Sequence, residues 1–199
     1  MGRIFLTFLF LLTAACRSYP LKTDMSDAAI SKRQTRCRAE RYTKTPALLW
    51  LTLPVRVSVS EELPAEAYPV LDRAIKRWNQ QTGLKLFELN PEKPSILILW
   101  QANKLSQSAL QVAQARLRFY EPLLLRVEIE LFQPANFSFS ETKEDYKPDL
   151  EATLIHELGH ALGLEHTTGV GTMAPESDLG MAEREIDERS VQAVLCLYR

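Results

Sequence analysis

Val55, Val57 and Val59 alternate with Arg56, Ser58 and Ser60, the period-two pattern of a strand with one buried face. From Pro64 the spacing changes: Ala67, Val70, Leu71, Ala74, Ile75 and Trp78 fall on one side of a helix, which Gly83 ends after Thr82. Alternation returns in Leu84–Leu89, and Ser95–Trp100 (SILILW) is a continuous apolar run that reads as a strand covered on both faces. Ala113, Ala115, Leu117 and Phe119 alternate with Gln114, Arg116 and Arg118; beyond Pro122, Val127, Ile129 and Leu131 alternate with Glu128 and Glu130. Gln133–Pro148 is a polar loop. Asp149 can then cap a helix over Leu150 to about Leu162, whose buried stripe is Leu150, Leu154, Leu158 and Leu162. After a loop rich in Gly and Thr, a last helix is expected from about Ala182 to Leu197. The order strand, helix, four strands, helix, loop, helix predicts an α/β (α+β) sheet domain.

The helix from Leu150 carries the chemistry. His156 and His160 lie four apart, so both imidazoles project from one face about a turn from each other, the spacing that lets two of them hold one small cation. A catalytic zinc takes three protein ligands and leaves one position open. Gly163 can stop the helix in a left-handed conformation and allow the chain to return His166 to the same ion. Three neutral imidazoles leave zinc its full charge, which brings the pKa of water there toward ~7. Glu157, beside the first ligand, is placed to take a proton from that activated water and deliver it to a leaving amine. The chain has three histidines, and all three fall in this pattern. Random placement would produce that spacing roughly once in seven thousand trials, so three incidental histidines are the poorer explanation.

His156-Glu157-Leu158-Gly159-His160-Ala161-Leu162-Gly163-Leu164-Glu165-His166 resembles the H-E-x-x-H-x-x-G-x-x-H motif of the metzincin metalloproteases. That clan has a methionine turn beneath the metal, and Gly171-Thr172-Met173-Ala174-Pro175 stands where a short version would lie, so the resemblance gives Met173 a supporting role. Trp78-Asn79-Gln80-Gln81-Thr82-Gly83 followed by Leu84–Leu89 looks like the first helix and second strand of matrixin catalytic domains, and Glu185-Ile186-Asp187 through Leu197-Tyr198 looks like their closing helix. The likeness covers about residues 46–199. It implies a twisted five-stranded mixed sheet with two long helices and a C-terminal helix, and a cleft over the zinc helix. It also implies extended protein or peptide substrates that add to an edge strand, for which Ala113–Tyr120 is the candidate. The chain departs from the family pattern in having no further histidines for a second, structural zinc and no glycine-rich strand loops. Calcium sites are therefore not carried over; the acidic loop of Glu141, Glu144 and Asp145 could bind calcium but has no recognisable ligand spacing. The family's usual prodomain with its inhibitory cysteine is expected to be absent or vestigial.

Outside this domain the N-terminus has its own logic. Arg3, the apolar run Ile4–Leu12 and the small residues Thr13–Ala15 read as a signal peptide over residues 1–15, the run being shorter than the ~20 residues a spanning helix needs. LTAAC resembles the lipobox of bacterial lipoproteins, with leucine one place too early, so Cys16 is a candidate lipid attachment site and the alternative is free secretion. Either way the chain is expected outside the cytoplasm, in or beyond a bacterial cell envelope. Residues 17–45, polar and aperiodic, are expected to form a tether or loosely ordered lead-in. With Cys16 accounted for, Cys37 and Cys196 are left as a disulfide, as free thiols, or, for Cys37, as a thiolate capping the metal in a latent form. A net charge of −1 removes any general attraction to nucleic acid, and a monomer is expected. Trp50, Trp78 and Trp100 read as core or rim aromatics, and Glu183-Arg184-Glu185 with Asp187-Glu188-Arg189 as a solvated helical face. The function these residues imply is that of a zinc endopeptidase. Its rivals are a zinc-containing binding or adhesion protein, which would not need Glu157, and a hydrolase of non-peptide amides.

Overall fold

The computed structural model describes residues 26–39, 48–101, 111–132, 136–144, 146–175 and 183–199. The expected signal segment and Cys16 lie outside these residues. Among those described, no helix is long and apolar enough to cross a membrane.

Five strands form one mixed sheet: β1 (Val55–Val59), β2 (Phe87–Leu89), β3 (Ile96–Gln101), β4 (Ala113–Tyr120) and β5 (Leu123–Phe132), in the spatial order β2-β1-β3-β5-β4. β1 is parallel to β2 and to β3, β3 is parallel to β5, and β4 runs antiparallel to β5 along the sheet's edge. The register pairs Ile96 with Val127 and Ile98 with Ile129, so the alternating apolar positions of neighbouring strands share one face. That face is covered by α2 (Ala67–Thr82) and α3 (Leu150–Ala161), and its core includes Val57, Ile98, Leu71, Trp78, Leu154 and Leu158. In β3 the continuous apolar run is fully buried only at Ile96 and Ile98. Leu97 and Leu99 are half-buried, because the helices pack on the other face.

Local chemistry moves several boundaries. α2 begins at Ala67, after a turn in which the Ala67 amide donates to the Pro64 carbonyl (3.0 Å). It ends at Gly83, whose φ of 66° is cheap only for glycine. β2 is shorter than the alternation of Leu84–Leu89 suggests. The Asn79 side chain accepts the amides of Leu86 (2.8 Å) and Phe87 (3.1 Å), taking backbone groups that a longer ladder would have used. The last helix, α4 (Glu188–Tyr198), starts six residues later than its apolar spacing implies, because Asp187 is its N-cap and accepts the Ser190 amide (3.0 Å).

The lead-in differs most from expectation. Asp27–Ala39, within the expected tether, form a helix, α1, packed against α4. Long-range links to the end of α4 hold it. Cys37 is disulfide-bonded to Cys196, Arg33 donates to the Leu197 carbonyl (2.9 Å), and Arg36 donates to that of Cys196 (3.2 Å). The helix has almost no amphipathic pattern, so its sequence gives no sign of a docking face. Cross-linking and the carbonyls of another helix's last turn supply what apolar spacing does not.

Candidate metal centre

α3 starts with a dense set of bonds. Asp149 caps it, accepting the Ala152 amide (3.1 Å). Glu151, in the first turn, is buried and accepts from Arg73 Nε (2.7 Å) and Arg77 Nε (2.6 Å), both on α2. Burial by itself would raise the Glu151 carboxyl, but these hydrogen bonds and the Arg77 and Arg184 charges hold it below its ordinary value. Arg184 donates to Asp149 Oδ2 (2.7 Å) and to the carbonyls of Ser140 and Glu141. The solvated-face reading is therefore corrected at Arg184 and Asp187, which are half-buried bracing groups, while Glu183, Glu185, Glu188 and Arg189 are exposed. Farther along, the Trp78 indole donates to the Ile155 carbonyl (3.0 Å), fixing α3 against α2 just before His156.

The three histidines converge. His160 Nε2 lies 3.1 Å from His166 Nε2, which is 3.3 Å from His156 Nε2. Two of the rings have a defined tautomer: His156 Nδ1–H donates to the Thr172 carbonyl (2.7 Å) and His160 Nδ1–H to the Leu164 carbonyl (2.8 Å). A carbonyl can only accept, so the protons sit on Nδ1 and the Nε2 lone pairs face inward. Burial lowers the pKa of His156, and burial together with the neighbouring histidines takes that of His160 to about 4, keeping both neutral at ordinary pH. Lone pairs pointed at one another repel unless a cation lies between them. Zinc–nitrogen bonds of ~2.0–2.1 Å at tetrahedral angles require nitrogens about 3.3 Å apart. The donor set and spacing fit zinc. Among the described residues this is the one group of three or more metal-ligating side chains. In the acidic loop, Glu144 accepts from Ser138 Oγ (2.9 Å) and pairs with Lys147, while Asp145 lies outside the described residues.

Gly163, with φ 87°, makes the turn that the return of His166 requires. A side chain there would also strike the Leu48 carbonyl, which lies directly behind it. Met173 is buried with its sulfur against Gly159, in the space a Cβ at residue 159 would need, so the small residue inside the motif admits the methionine turn. The turn is tied to α4 as well. Thr172 N donates to Asp187 Oδ2 (2.9 Å) and Asp187 N donates to Thr172 Oγ1 (2.9 Å), which sets the carbonyl that orients His156. Sequence reasoning passed over Thr172, Asp187 and Gly159. The only available signal was the Asp187–Ser190 capping spacing.

Glu157 is buried, and its Oε2 has no hydrogen-bond partner. Burial pushes its carboxyl up to about 8, against the lowering effect of a hydrogen bond from the Ala115 amide. A dication among the imidazoles would pull it back down. Because the amide of Ala115 donates to Glu157, the unpaired edge of β4 faces this carboxylate. Cys37 is elsewhere, fully buried against the end of α4, so the metal-capping alternative for it is overturned.

A five-stranded mixed sheet over a helix of the form H-E-x-x-H, with a third histidine and a methionine turn closing the site, defines a metzincin-type zinc peptidase domain. The family model described as Matrixin matches residues 51–199, and the chain belongs to the matrixin family, a family of zinc-dependent metalloendopeptidases. No curated protein matches it.

Proposed function

We propose that this protein is an exported zinc endopeptidase acting on extended protein or peptide segments, with His156, His160 and His166 holding the metal and Glu157 moving the proton. The observation that carries the reading is the convergence of three imidazole nitrogens on one point, two of them from a helix that also buries an unpartnered carboxylate oxygen. Zinc, when bound, supplies a Lewis acid that polarises a carbonyl and acidifies water. Glu157 takes a proton from the attacking water as its oxygen bonds to the scissile carbon, then passes it to the nitrogen as the C–N bond breaks. The desolvated surroundings of Glu157 favour its accepting that proton. Thr172 and Leu164 keep two ligands in the tautomer that leaves Nε2 bare. The edge strand β4 offers main-chain groups to an extended chain laid beside Glu157. Export is supported by the Cys37–Cys196 bond, which persists in an oxidising compartment.

The test is Glu157→Gln in the full chain. Zinc content should match wild type, while cleavage of a denatured protein falls by about 10²-fold or more, the usual contribution of a positioned proton carrier. Undiminished cleavage by that variant would refute the role of Glu157. Chelation that leaves wild-type cleavage intact would refute the metal's.

A further inference from the structure

The turn that returns His166 to the cluster begins at the C-terminal end of α3, where the last carbonyls of a helix have no partner within it. Here two carbonyls, those of Ala161 and the capping Leu162, are held from outside. The Trp50 indole donates to the Ala161 carbonyl (2.6 Å), and the Tyr198 hydroxyl donates to that of Leu162 (3.0 Å). The same hydroxyl accepts the Trp50 amide (3.3 Å), so one buried phenol satisfies two backbone groups at the start of the turn. Gly163 follows at once, then Leu164, whose carbonyl orients His160, then His166.

Tyr198 is the last residue of α4, and this helix end is itself tied down. Cys196 is bonded to Cys37 on α1, and Arg33 and Arg36 of α1 donate to the carbonyls of Leu197 and Cys196. The ties run without interruption from α1 through the end of α4 to the exit turn of α3.

We infer that Tyr198 is a positioning residue for the metal site, and that the disulfide-linked α1 is a brace that holds it there. Without the phenolic oxygen, the Leu162 carbonyl and the Trp50 amide are left buried and unpaired. The exit turn then has reason to rearrange, and it carries both the His166 ligand and the acceptor that orients His160. The same logic makes metal affinity dependent on the Cys37–Cys196 bond, so that a reduced chain would hold its metal less well. This rests on the reading that the three histidines bind zinc.

The experiment measures zinc affinity by competition with a chromophoric chelator, and the visible absorption of the cobalt-substituted protein, on the full oxidised chain. Tyr198→Phe should bind zinc about tenfold more weakly, as the loss of a partner that orients a ligand does, with an altered cobalt spectrum and a retained cooperative melt. Val191→Ala, a core truncation elsewhere on α4, should lower the melting temperature and leave affinity unchanged. The double variant Cys37→Ser/Cys196→Ser should weaken binding in the same direction as Tyr198→Phe. Tyr198→Phe within about twofold of wild type, or Val191→Ala weakened as much as it, overturns the positioning role. Unchanged affinity in the double serine variant overturns the brace. A wild-type chain that binds neither ion overturns the metal-site reading itself, a different failure from the other two.

Discussion

Glu151→Gln probes how the metal helix is held at its start. The carboxylate is 1% exposed and accepts from two guanidinium groups at 2.6 and 2.7 Å, with Arg184 at 3.6 Å. Glutamine keeps the shape but removes the charge and turns an NH2 group toward one of the arginines. Removing one partner of a buried ion pair costs about 3–5 kcal/mol. Arg73 and Arg77 keep 27% and 30% of their side-chain surface in water, which can hydrate them, so the expected loss is about 2–3 kcal/mol. Urea unfolding of the chelated, oxidised protein excludes the contribution of bound metal. With a slope of about 2 kcal/mol/M, the midpoint should fall by about 1 M. The dependence on pH has a definite sign. The folded pKa lies below the ordinary 4.5, so the stabilisation is full above the unfolded pKa and disappears as pH falls through the folded one. The gap between wild type and variant should therefore be constant near neutrality and begin to shrink as the pH falls below the ordinary 4.5. A midpoint shift under about 0.2 M, or a gap that widens in acid, would refute the reasoning.

Two further substitutions test the turns around the metal site. Gly163→Ala must adopt positive φ against the Leu48 carbonyl, and should cost about 2 kcal/mol or more, seen as a melting temperature about 4–8 °C lower; an unchanged melt would mean that the turn relaxes freely. Gly159→Ala intrudes on the Met173 sulfur and should cost about 1–3 kcal/mol, while adding Met173→Ala should cost less than the sum of the two single changes; strict additivity would show that the residues do not touch.

The candidate site was legible because its parts are close in sequence. His156 and His160 are one helical turn apart, and Gly163 announces the turn that brings back His166. The strands were legible because each side of the sheet repeats with period two. Docking was not. α1 has no apolar stripe, and nothing near Arg33 or Arg36 indicates that they serve carbonyls some 160 positions away. The charges of residues 183–189 look like any solvated run until Asp149 and Thr172 are brought beside them.

By itself, then, the chain determined the strands and helices of an α/β sheet domain, the helix bearing His156, Glu157 and His160, and the residue types able to hold zinc, since all of these follow from local spacing and side-chain chemistry. Only the tertiary structure decided which tautomers the ligands adopt, which residues brace the two ends of α3, and where Cys37 goes. Each of those depends on a carbonyl, a charge or a thiol from a distant segment, and periodicity has no information about partners that folding alone brings together.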